Sequence, residues 1–83
     1  MRLRADVSLV ETEYGNVLLD ERTGKYWELN PTGSFVLGEL MSGGDTGAVT
    51  TRLTEEFEVD AERARSDVEA LVAALVEARL VDR

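Results

Sequence analysis

The sequence contains neither cysteine nor histidine, and those two absences remove much of the usual protein chemistry. Without cysteine there is no disulfide framework, no thiol nucleophile and no thiolate metal site, and the redox compartment leaves no mark on the chain. Without histidine the commonest neutral-pH proton shuttle and metal ligand is missing. The carboxylates are scattered over apparent surface and do not pair with a nucleophile or with each other. The expectation is therefore a protein that is not an enzyme and that carries no metal and no cofactor. No long apolar segment precedes the alternating pattern that begins at Leu3, so neither a signal peptide nor a membrane span is expected there. A cytoplasmic location without a membrane partner is the default expectation.

A concentrated basic patch is also missing. The formal net charge is −8; Arg2, Arg4, Arg22 and Lys25 lie in the first third, while aspartate and glutamate crowd the rest. Nucleic-acid affinity depends on cationic side chains displacing counterions from phosphate. A chain of this sign is not expected to bind nucleic acid. The acidic surface serves solubility, and it would also attract a basic peptide segment. Eighty-three residues make a single expected domain over 1–83, a monomer, which buries somewhat over about 60% of its unfolded surface. One modest core leaves no room for a deep enclosed active site as well.

The chain does carry clear local punctuation. Leu3 to Glu11 alternates as one half-buried strand, with Leu3, Ala5, Val7 and Leu9 on one side. Glu13-Tyr14-Gly15-Asn16 is a turn, Val17 to Asp20 a short second strand, and Glu21-Arg22-Thr23-Gly24 a second turn. Lys25 to Leu29 makes a third strand, favoured by the aromatic pair Tyr26-Trp27. Connections this short predict an antiparallel meander, with the third strand at an edge or beside the first.

At Asn30-Pro31 the structure must change. Proline removes an amide donor from a strand but suits the first position of a helix, and Asn30 can accept a hydrogen bond from an orphan first-turn amide. Phe35, Val36, Leu37, Leu40 and Met41 form the apolar face of this first helix, and Ser42-Gly43-Gly44 stops it. Asp45 or Thr46 caps a second helix with Val49, Leu53 and Phe57 on its face. Asp60 caps a third and longest helix, ending near Arg79, whose stripe is Ala64, Val68, Leu71, Val72, Leu75 and Val76. Leu80 and Val81 then fold back onto the core. The fold class is α+β and winged-helix-like, a three-stranded antiparallel sheet followed by three helices that cover one face.

A second, small-residue stripe on the third helix, Asp67, Ala70, Ala73 and Ala74, reads either as good helix formers on a solvated face or as a groove floor. Beside it, an edge strand with unpaired amides and carbonyls would leave a slot for one more strand. Trp27 is divided between core and cleft, Leu29 is assigned to the core, and Tyr26 and Glu28 face away from it. A winged-helix transcriptional regulator would share the helix order. Its recognition helix should be basic, whereas here Glu62, Asp67, Glu69 and Glu77 stand against Arg63, Arg65 and Arg79.

The run Tyr26-Trp27-Glu28-Leu29-Asn30-Pro31-Thr32-Gly33, the helix from Phe35 to Leu40, and Asp67-Val68 in a helix closing on Leu80-Val81 together resemble the PqqD-like family. These are the recognition elements that bind precursor peptides of ribosomally made, post-translationally modified peptides (RiPPs). The resemblance spans roughly Leu3 to Val81, and Leu-Asn-Pro-Thr-Gly is its most distinctive part. It implies a domain that binds a leader peptide as an added strand, antiparallel to the third strand and against the third helix. Carried over by position, the leader-binding residues are Tyr26, Trp27, Glu28 and Leu29 on the strand, with Asp67, Val68, Leu71, Ala74 and Leu75 on the helix. A separate chain of this length resembles most the leader-binding proteins of lasso peptide biosynthesis, whose implied partners are a leader peptidase and a cyclase on other chains. The family commonly has a glycine just before the closing apolar pair. Here that residue is Arg79, read as a local change in how the helix ends.

Overall fold

The computed structural model describes residues 1–82; Arg83, the last residue of the expected domain, lies outside the described residues. In chain order the elements are β1 (Arg2–Leu3), β2 (Val7–Thr12), β3 (Gly15–Asp20), β4 (Tyr26–Leu29), α1 (Pro31–Met41), α2 (Thr46–Glu56), α3 (Ala61–Glu77) and β5 (Val81–Asp82). The architecture is α+β. A three-stranded antiparallel sheet has the order β2-β3-β4, and β1 pairs with β5 in a separate two-stranded clasp.

The expected first strand is thus two strands. At its centre Arg4 and Asp6 close a tight turn, with the Val7 amide donating to the Arg4 carbonyl at 3.0 Å and the Arg4 guanidinium forking onto the Asp6 carboxylate at 2.9 and 3.0 Å. A carboxylate in that fork is held as its anion, and the hydrogen bond from Arg4 keeps Asp6 below the ordinary carboxylate range. Leu3 therefore pairs with Val81, and Ala5 sits in the turn. Leu9, expected on the buried side, is 44% exposed because β2 runs past the helices that cover Val7.

Local signals place the helices. The Asn30 side chain accepts from the Gly33 amide at 2.7 Å, Asp45 from Ala48 at 2.8 Å and Asp60 from Arg63 at 2.8 Å, the N-cap geometry that satisfies an orphan donor. A Cβ at Gly33 would lie 3.2 Å from the Asn30 Oδ1 and 3.6 Å from the Leu29 side chain, so glycine lets α1 start close against the end of β4.

Two packed groups make the core. Val36, Leu40, Val49, Leu53, Ala64, Val68 and Val72 join the three helices. Val7, Leu18, Leu37, Leu75, Leu80 and Val81 join sheet, helices and clasp. Leu71 and Met41 touch both. Phe35 and Phe57 meet edge to face at 5.4 Å, and at the surface Arg52 on α2 pairs with Glu39 on α1 at 2.7 Å. Val76, expected in the buried stripe of α3, is 39% exposed because it lies on the side of α3 turned away from the sheet.

The end of α3 differs from the expected local change. Arg79 has φ 58°, its amide donates to the Val76 carbonyl, and the Leu80 amide donates to the Leu75 carbonyl, both at 3.0 Å. This is the Schellman ending ordinarily built with glycine. Arg79 takes the left-handed conformation itself, and the ending is unchanged. Leu80 and Val81 are buried as expected, through the clasp with β1.

Candidate functional site

The third expected strand is β4, and it is an edge: among the described residues only β3 pairs with it. Its register is Asn16 with Leu29, Val17 with Glu28, Leu18 with Trp27 and Leu19 with Tyr26. Just before that ladder the Asp20 amide donates to the Lys25 carbonyl at 2.9 Å. Hydrogen-bonded and non-bonded pairs alternate along an antiparallel ladder, so Trp27 and Leu29 spend their backbone groups on β3. The amides and carbonyls of Tyr26 and Glu28 point away from the sheet, toward open space.

Side chains alternate the opposite way. Trp27 and Leu29 turn inward and pack, half-buried, against the core group built on Leu18, Leu37 and Leu75. Tyr26, 64% exposed, and Glu28 turn outward. Gly15 secures the end of this strand. Its φ is +149°, and a Cβ there would lie 2.0 Å from the Leu29 carbonyl oxygen, so the β2–β3 turn can approach β4 only with glycine at that position.

Between the end of β4, the first turn of α1 and the flank of α3 lies a groove of about 450 Å³. Its walls include Glu28, Leu29, Asn30, Thr32, Val36, Val59, Arg63, Asp67, Ala70 and Leu71. Leu29, Val36, Val59 and Leu71 supply an apolar floor. Arg63 and Asp67, paired at 3.5 Å one helical turn apart, form a polar lip. A second hollow of about 530 Å³ lies beside the β2–β3 turn, between Thr12, Tyr14, Asn16, Val17 and the same Glu28, Leu29 and Asn30. Glu28 and Leu29 border both.

Of the residues expected from sequence, the groove brings together Glu28, Leu29, Asp67 and Leu71. Tyr26 and Trp27 continue its rim along β4. Ala74 is exposed two turns of α3 beyond Asp67, outside the groove walls. Val68, 0% exposed, and Leu75, 2% exposed, are core; they support the floor from behind. The small-residue stripe divides: Ala70 faces the groove, whereas Ala73 lies on the other flank, with Thr46 and Val76. Sequence reasoning missed Arg63, Val59, Val36 and Thr32 as groove residues. For Arg63 the signal was present, since it lies four residues before Asp67 on one helical face. Val59 comes from the turn between α2 and α3, where no periodicity points.

Among the described residues no group of three or more aspartates or glutamates is placed to hold a metal ion, and no helix is long and apolar enough to cross a membrane. The arrangement offers an open strand edge beside an apolar groove with a charged lip, which suits an extended peptide.

Comparison with known proteins bears on the family and the fold. The family model described as coenzyme PQQ synthesis protein D (PqqD) matches residues 15–81, the stretch from β3 through the three helices to β5. The chain belongs to the PqqD family. Among solved structures it is similar to a lasso peptide synthetase B1 complexed with the leader peptide, at 40% identity and TM-score 0.90, covering 99% of this chain and 96% of that one. It also shares its fold with TbiB1 in complex with the TbiA(beta) leader peptide, at 24% identity and TM-score 0.86, covering 99% and 95% of the two chains. No curated protein matches the chain.

Proposed function

We propose that this protein binds the leader segment of a ribosomal precursor peptide and delivers it to maturation enzymes in RiPP biosynthesis, in a lasso peptide pathway. The leader adds to the sheet as a strand antiparallel to β4 and lies in the groove against α3. The observation that carries this reading is the β4 edge, whose outward backbone groups at Tyr26 and Glu28 run beside an apolar groove. Membership of the PqqD family, and 40% identity to a B1 protein seen with a leader peptide, support it.

The physical division of labour follows. Each strand-to-strand hydrogen bond nets only about 0.5–1.5 kcal/mol and ignores side-chain identity, so the β4 edge supplies affinity without choice. Choice comes from leader side chains that point inward at every second position, onto Leu29, Leu71 and the half-buried Trp27. A buried apolar anchor contributes about 1.5–3 kcal/mol. Ordering a flexible leader costs part of that gain, which leaves a complex strong enough for delivery and weak enough for release.

The role is one of binding and presentation, with the leader peptidase and the cyclase on separate chains and the protein acting as a monomer in the cytoplasm. The acidic surface of α3 argues against a nucleic-acid-binding regulator. Titration with the leader of the precursor encoded beside this gene should give saturable 1:1 binding, and Trp27 fluorescence should report it. Absence of binding to every neighbouring precursor would overturn the reading.

A further inference from the structure

We infer that Glu28 is a specificity-determining residue of the β4 edge, selecting a lysine or arginine at the peptide position directly opposite it. The inference rests on strand addition to β4 and adds a chemical preference to it.

The outer face of the sheet is set by the register. It carries Ser8, Val10 and Thr12 from β2, Val17 and Leu19 from β3, and Tyr26 and Glu28 from β4. Among the described residues of the sheet, Glu28 is the one formally charged side chain on that face. Val17 lies directly across from it and Val10 one strand further, while Tyr26 flanks it along β4, so no cation of the sheet stands on its side. It is exposed and has no ion-pair partner among the described residues, whereas the neighbouring carboxylate at the groove, Asp67, is occupied by Arg63.

The backbone of Glu28 is also one of the two residues on β4 with free donors and acceptors. An added strand must therefore place one residue opposite Glu28, in a pair that exchanges both hydrogen bonds, with its side chain on the same outer face. Edge strands are commonly protected against pairing by lysine. This edge presents a carboxylate instead, which accepts a cationic strand and disfavours an acidic one. Directly opposed cross-strand charges change affinity by about two- to fivefold, a bias suited to setting register and choosing among leaders rather than to holding them.

The test uses a synthetic peptide of the leader of the precursor encoded beside this gene, scanned singly with lysine and with glutamate. Each peptide is titrated against the wild-type protein, Glu28→Gln and Glu28→Lys, with circular dichroism to confirm folding. At one position lysine should bind about threefold tighter than glutamate or more to wild type. That contrast should collapse with Glu28→Gln, invert with Glu28→Lys and fade in 0.5 M salt, within the reach of screening.

A lysine-to-glutamate contrast that is the same in all three proteins overturns the assignment and leaves strand addition standing. An inversion spread evenly over every position is bulk attraction to an acidic protein and also overturns it. Failure of the unsubstituted peptide to bind any of the three proteins counts against the reading of the groove itself, and Glu28 falls with it.

Discussion

The sheet has two edges, and they offer a passing peptide nearly the same backbone. On β2 the outward amides and carbonyls belong to Leu9 and Glu11; on β4 they belong to Tyr26 and Glu28, as the two registers require. The surroundings differ. From Leu9 onward every residue of β2 is exposed, and a strand added there would gain hydrogen bonds and little else. Beside β4 stand α3 and the first turn of α1, enclosing a groove floored by Leu29, Val36, Val59 and Leu71. Hydrogen bonds to backbone do not distinguish one edge from the other, but burial of side chains does. The comparison teaches that a wall of packed side chains, and not the backbone, sets the β4 edge apart.

The comparison can be broken most severely at Gly15, which lets the β2–β3 turn sit against the Leu29 carbonyl. Gly15→Ala places a Cβ where that oxygen is and is expected to cost about 2–4 kcal/mol, read as a shift of the urea unfolding midpoint. Next comes the wall. Leu71→Glu should weaken leader binding by more than about tenfold, equivalent to about 1.4 kcal/mol, with helicity by circular dichroism retained. Leu71 also touches both core groups, so the exposed groove residue Ala70 offers a cleaner probe, and Ala70→Glu should weaken binding without moving the melting temperature. Leu9→Glu, on the other edge, should leave affinity unchanged. Equal losses from Leu9→Glu and Ala70→Glu would erase the distinction between the edges.

Smaller effects sharpen the same contrast through its supports. The wall ends at Arg79, which holds a left-handed conformation. Arg79→Gly should raise stability by about 0.5–1 kcal/mol, the relief of a side-chain clash less the entropy that glycine loses, seen as a higher melting temperature with unchanged affinity. The smallest effect lies at the start of β2. The fork from Arg4 depresses the pKa of Asp6 in the folded state, so its stabilising increment is present above the ordinary carboxylate pKa and lost as pH falls through the depressed folded value. Asp6→Asn should lower the melting temperature slightly at neutral pH, and the gap to wild type should close in acid.

Much of the fold was legible because its signals are local. Asn30, Asp45 and Asp60 each reach an amide three residues ahead, so the N-termini of the helices could be placed from neighbours in the chain. The strand-turn-strand order from Val17 to Leu29 was legible for the same reason. The continuous strand from Leu3 to Glu11 was a misreading with a physical cause: alternation reports that a segment is extended, and it does not report the partner. Leu3 and Val7 pack on the same core group but pair with different strands, Leu3 with Val81 of β5 and Val7 with Asp20 of β3. The expected groove was similarly half legible. The family resemblance grouped Asp67, Val68, Leu71, Ala74 and Leu75, but how far α3 rolls toward the sheet decides which of them face open space. Val68 and Leu75 went to the core, while Arg63 and Ala70 came to the groove.

What followed from residue order alone was the switch at Asn30-Pro31, the N-caps of the first and third helices and the aromatic strand before the first of them, because each depends on hydrogen bonds and steric limits spanning only a few residues. Packing decided the rest. The clasp of β1 with β5 joins the two ends of the chain, and the free edge of β4 became a groove only because α3 lies beside it. Both depend on which apolar faces are buried together, a choice made among segments far apart in the chain.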